Sequence, residues 1–175
     1  VMPQANGSNP GYSAYDSDVA KCQIQDAKAN GSDVVIVYFH FGNEYSRSPN
    51  PDQEKMAHEV IDYGADAVLG SHPHVTQGIE MYNGKPIFYS LGNFIFDMSN
   101  SATHIAYIVK MDFVNDTGEC TVYPVIISGY LPYFMGPDEG TSLLNSLYPQ
   151  CDDLEITPEG TGKLYFNLTG DTNES

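Results

Sequence analysis

The sequence predicts an α/β fold in which a parallel strand–helix–strand unit is followed by antiparallel hairpins. Three observations predict it. Two short runs rich in apolar and β-branched residues, Val34-Val35-Ile36-Val37-Tyr38-Phe39 and Asp66-Ala67-Val68-Leu69, bracket an amphipathic stretch with helix start and stop signals. That order suits a crossover helix between two parallel, buried strands. Further on, Asn83-Gly84 separates Ile79-Glu80-Met81-Tyr82 from Pro86-Ile87-Phe88-Tyr89-Ser90-Leu91, a strong two-residue hairpin signal. Finally, residues 104–113 and 120–128 flank Asn115-Asp116-Thr117-Gly118 and read as a second strand pair.

Taken in order, residues 1–15 are rich in Gly, Pro, Asn and Ser and form an irregular segment. Asp16 or Ser17 can cap a helix that runs to about Asn30, where Asn30-Gly31 ends it. Val19, Cys22, Ile24 and Ala27 supply its apolar stripe, and Cys22 is expected to fill core space. After strand 34–39 and the loop Gly42–Asn50, Pro51 suits a first helical turn with Asn50 as cap and Asp52 and Glu54 near the positive helix end. Met56, Ala57, Val60 and Ile61 mark its buried side, and Gly64 stops it. Beyond Gly129 the pattern weakens to a short helix at Ser142–Leu147 and a strand at Leu164–Leu168. The expected organisation is an irregular segment plus helix over 1–32, a core half over 33–128, and an extension over 129–175 that packs on the core.

Composition bounds the function. The 175 residues carry a formal net charge of −16, with 41% hydrophobic and 17% charged residues and 13 tyrosines. This is a globular composition, and its charge excludes nucleic acid and anionic lipid headgroups as partners. No apolar run approaches the roughly 20 residues of a membrane span. The chain opens at Val1 with no signal peptide and reads as a fragment or processed form. Cys22, Cys120 and Cys151 have no CxxC spacing, which argues against a thiolate zinc site and leaves a Cys120–Cys151 disulfide open.

The chemistry concentrates in histidine. His40 follows the first strand in His40-Phe41-Gly42-Asn43-Glu44-Tyr45, and His72 and His74 follow the second in Gly70-Ser71-His72-Pro73-His74. Ligands gather at the carboxyl ends of strands in open α/β sheets, and neutral imidazoles are common transition-metal ligands. Pro73 stiffens the turn between two of them. Glu44 can be a ligand, an orienting partner of an imidazole, a general acid/base, or a solvated loop carboxylate. Asn93 and Asp97 follow the hairpin strand, where Asn93 can donate to a phosphate or simply close a turn. His58 lies on the amphipathic helix as a surface or packing residue, and His104 starts a strand without a partner. There is no GxSxG elbow, P-loop or GxGxxG, and Ser71 and Ser90 are poor nucleophile candidates.

These residues carry a family resemblance. His40-Phe41-Gly42-Asn43-Glu44-Tyr45 resembles the HWGxEY motif of CapA-type bacterial capsule, or poly-γ-glutamate, synthesis proteins. Gly64–Val75 resembles that family's GADxVxGxHPHV, and Gly84–Asp97 its GKPIxYSLGNFxFD. The three motifs occur in family order over residues 33–97.

The resemblance implies the C-terminal part of a calcineurin-like metallophosphoesterase α-β-β-α sandwich, with 33–128 as its core half. It implies metal ligation by His40, His72 and His74, catalytic roles for His74 and Glu44, and substrate binding by Asn93 and Asp97. The cofactor would be a divalent transition metal (Mn, Fe or Zn), with two ions in the full-length protein. The superfamily's aspartate pair and Asn-His motif have no match here, so the site is expected to be incomplete and the N-terminal half of the same protein to be a partner. An anionic capsule polymer or phosphoester-like substrate is implied, as is an extracytoplasmic setting. Membrane association would come through a segment outside this chain, within a synthase complex or a homo-oligomer. The competing expectation is a non-catalytic polymer-binding or scaffold subunit.

Overall fold

The computed structural model describes residues 4, 5, 7–96 and 98–169. It forms two sheets. The first orders its strands β1 (Ile36–His40), β2 (Ala67–Ser71), β4 (Lys85–Phe88) and β3 (Ile79–Tyr82). β1, β2 and β4 are mutually parallel, and β3 returns antiparallel to β4. The second sheet is antiparallel, ordered β5 (Ile105–Val114), β6 (Thr117–Ser128), β9 (Gly162–Asn167) and β8 (Glu155–Ile156), with β7 (Leu131–Phe134) also on β6. The fold is therefore mixed α/β, a parallel unit followed by antiparallel hairpins. The second sheet draws strands from both sides of residue 129.

α1 (Ser17–Ala29) starts where the Asp16 side chain accepts the Val19 N–H, 3.0 Å away. α2 (Pro51–Asp62) starts with a capping box in which Asn50 and Gln53 each bond the other's backbone N–H. Its Ala57, Val60 and Ile61 join Ile24 of α1 against Val68, Ile87, Tyr89 and the half-buried Val37 and Phe39. The opposite sheet face buries Ile79 and Phe88 against Tyr107, Cys120, Val122, Leu164 and Phe166 of the second sheet. α3 (Pro137–Ser146) adds Leu143 and Leu144 to that cluster.

Several expectations need correction. β1 is not a buried strand: it lies at the sheet edge, and Ile36 and Tyr38 on its second face remain 42% and 60% exposed. The helical face of β1 is covered by α1 and α2, whereas these two side chains lie outside both buried clusters. Cys22 is exposed rather than core, as is Val19, so Ile24 alone anchors α1 deeply. The disulfide left open by the sequence does not form: Cys120 and Cys151 are free thiols. His104 closes a 3-10 turn (Ser101–His104) just ahead of β5 instead of starting the strand. β7 and β8 had no clear periodic signal and owe their pairing to neighbours already in the sheet.

Candidate functional site

Parallel pairing places His40 opposite Ser71 at the carboxyl ends of β1 and β2. On the other side of β2, Gly70 lets the strand run close to the chain after β4, since a Cβ there would fall 2.1 Å from the Tyr89 carbonyl oxygen. The following turn is strained: His72 and His74 sit at φ 104° and 61°, either side of the buried Pro73. Non-glycine residues there cost on the order of 1–3 kcal/mol each, against a typical domain stability of about 5–15 kcal/mol. Backbone bonds hold the turn: Tyr45 N–H donates to the Pro73 carbonyl at 2.8 Å, and Phe41 N–H to the Ser71 carbonyl at 3.0 Å. Strain maintained this way points to a function for the side chains it aims.

The result is a cluster. The His40 and His72 ring centroids are 4.7 Å apart, and those of His72 and His74 are 6.1 Å apart. Donor atoms of Glu44, His72 and His74 all lie within 4.8 Å of one another. Two imidazoles and a carboxylate at that spacing fit a borderline divalent ion. Glu44 thus belongs to the tightest group, while His40 stands beside it. Partial burial, then the charges of His72 and His74, holds the His40 imidazole below its ordinary pKa, which favours the neutral, ligating form.

Of the other sequence-predicted residues, Asn93 reaches the cluster: its Oδ1 lies 2.8 Å from His74 Nδ1. Asp97 lies outside the described residues. His58 instead pairs with Glu80 at 3.1 Å and stacks on Tyr82, and His104 bonds the Met98 carbonyl at 2.8 Å. Phe96 and Tyr45 flank His74 at ring distances of 5.4 and 6.3 Å. Two surface cavities of about 520 and 460 Å³ include none of the cluster residues.

A supporting pair escaped the sequence reading. Gln53 and Gln77 are both buried, and the Gln53 amide donates to Gln77 Oε1 at 2.9 Å. The Gln77 amide in turn donates to the Ser46 and Ser48 carbonyls, each at 3.0 Å. This fixes the loop that carries Glu44. Gly42, at φ 95°, lets the loop pass over Gln53, where a Cβ would fall 2.4 Å from the amide oxygen. The Asn50-x-x-Gln53 capping box was a legible signal for one partner. Nothing local marks Gln77.

Comparison with known proteins agrees with the motifs. Residues 2–98 match the family described as bacterial capsule synthesis protein PGA_cap. The chain is 40% identical over 129 residues to the PGA biosynthesis protein CapA of Bacillus subtilis (strain 168), covering 73% of this chain and 34% of that protein. It is 40% identical over 109 residues to the capsule biosynthesis protein CapA of Bacillus anthracis, covering 61% of this chain and 26% of that protein. A "Probable polyglutamine synthesis accessory protein" of Mycobacterium tuberculosis (strain ATCC 25618 / H37Rv) is 33% identical over 90 residues, covering 51% of this chain and 23% of that protein. The matched part is thus about a third or less of each of these relatives. On the family match and these identities, the chain belongs to the bacterial capsule synthesis protein family.

Proposed function

We propose that this chain is the metal-dependent, hydrolase-like part of a capsule synthesis protein of the poly-γ-glutamate type. His72 and His74, with His40 beside them, would hold a divalent transition metal such as Mn, Fe or Zn. Glu44 serves as a further ligand or as the acid/base group. The observation that carries the reading is the convergence of donor atoms from Glu44, His72 and His74 within 4.8 Å, with both histidines on a strained, well-bonded turn. A bound metal of this kind polarises a phosphoryl or carbonyl oxygen and lowers the pKa of a ligated water. The chain's own residues orient the site: Pro73 fixes the turn, Asn93 holds His74, and the Gln53–Gln77 pair holds the Glu44 loop.

The remainder of the full-length protein completes the site, in keeping with the small share of its relatives that this chain spans. The substrate is an anionic capsule polymer or a related phosphoester, handled at the outer face of the membrane. No helix among the described residues is long and apolar enough to cross a membrane; attachment therefore rests on other segments or on a synthase complex.

The test is metal content and phosphodiesterase activity of the full-length protein. Stoichiometric Mn, Fe or Zn, with hydrolysis abolished by His72→Ala, supports the proposal. Capsule polymer export that is unchanged in His72→Ala, with no hydrolysis by either form, supports a polymer-binding scaffold instead.

A further inference from the structure

We propose that Asn93 is a positioning residue that locks His74 as its Nδ1–H tautomer and so turns a lone pair on Nε2 toward the metal pocket. This rests on the metal-site reading above but has a readout of its own. The Asn93 amide is oriented from behind. Its Nδ2 group donates to the Thr103 carbonyl at 3.2 Å and to the Met98 sulfur at 3.6 Å. The flipped amide would set two carbonyl oxygens against each other, so Oδ1 must face His74. Oδ1 only accepts. The 2.8 Å contact to His74 Nδ1 therefore requires the proton on Nδ1. A neutral imidazole protonated there has its ligating pair on Nε2.

Two further features make the lock rigid. Thr103 is buried in the 3-10 turn, its N–H donating to the Asn100 carbonyl at 2.9 Å, and the Asn100 side chain accepts the Ala102 N–H at 3.0 Å. The chain just ahead of Asn93 is clamped on both sides: Leu91 N–H donates to the Gly70 carbonyl, and the Leu91 carbonyl accepts from Tyr107 N–H, each at 3.0 Å. Gly92, at φ 78°, permits that passage, since a Cβ would lie 2.6 Å from the Ile105 carbonyl oxygen. The turn that leads into the second sheet therefore sets the orientation of a ligand carried at the end of the first. Orienting partners of this kind commonly change metal affinity about 10- to 100-fold when removed.

Long-range proton–nitrogen NMR of the imidazoles, on the metal-free full chain in mildly alkaline buffer, reads the tautomer directly. The expected result is His74 protonated on Nδ1 in the wild type. Asn93→Ala should shift it to a mixture or to Nε2–H, whereas Asn93→Asp, which keeps an acceptor, should retain Nδ1–H. In calorimetry with zinc ion alone, Asn93→Ala should bind about 10- to 100-fold more weakly than wild type. An Nε2–H wild type overturns the proposal, as does a folded Asn93→Ala that keeps Nδ1–H. If Asn93→Ala fails to fold, the wild-type tautomer and Asn93→Asp decide. Absence of zinc binding by the wild type contradicts the metal reading and leaves the tautomer result to stand or fall separately.

Discussion

His72 is held at φ 104°, a region that glycine occupies at little cost and other residues do not. Its imidazole is therefore retained against local stability. His72→Gly should melt higher than His72→Ala, by a difference equivalent to about 1 kcal/mol or more, while both lose metal; equal melting temperatures in a thermal scan would contradict the strain argument. A second residue-scale prediction concerns Asp66, whose side chain is 2% exposed and pairs with Lys28 and, at 3.2 Å, with Lys85. It also accepts the Val35 N–H at 2.9 Å. Asp66→Ala leaves two ammonium groups and a backbone donor without that acceptor, and should destabilise by about 3–5 kcal/mol in denaturant titration. Cys120 provides a pH test. Burial, then the Glu119 charge, pushes its thiol up to about 12. The unfolded chain ionises near the ordinary thiol value of about 8.5, so this contribution to stability is fully present below that pH and is lost as pH rises toward 12. Cys22 should alkylate readily in the native protein and Cys120 only on unfolding, which mass-spectrometric labelling will show.

At the scale of elements, the loop from Gly42 to Asn50 depends on a polar contact rather than on its own sequence. Gln53→Ala removes half of a capping box and leaves Gln77 without its buried partner, a loss on the order of 1–3 kcal/mol. Amide exchange in residues 43–48 should accelerate more than in β2; uniform acceleration would show that the pair stabilises the whole fold and not the loop. The same contrast explains what was legible. Helix α2 was readable because Asn50, Pro51 and Gly64 punctuate it locally, and Asn83-Gly84 fixed its hairpin, whereas Asn115-Asp116-Thr117-Gly118 marked the second hairpin but not its register, since Thr117 and Gly118 already pair in β6. Exposure of β1 was not readable, because a run such as Val34–Phe39 has the same composition at the edge of a sheet as in its centre. α1 misled for a related reason: Val19 and Cys22 fit a helical stripe, yet the sheet surface beneath reaches only Ile24 deeply.

Across the whole molecule, the histidine cluster was legible because three motif residues end two neighbouring strands, and parallel register alone brings His40 beside Ser71 and His72. The anchoring of that cluster was not, since His74–Asn93 and Gln53–Gln77 are contacts between residues 19 and 24 positions apart. Both pairs tie the strand-end loops to the body of the fold, and this makes the site a property of the assembled sheets rather than of the motifs. The open edge of β1, with Ile36, Tyr38 and His40 on one face, lies next to the cluster. The most direct measurement of the central claim is zinc K-edge X-ray absorption on the chain at saturating zinc. The account predicts a shell of nitrogen and oxygen ligands at about 2.0–2.1 Å, with the outer-shell scattering of at least two imidazoles, lost in His72→Ala. A sulfur shell at about 2.3 Å, or a spectrum of hydrated zinc unchanged by His72→Ala, would contradict it.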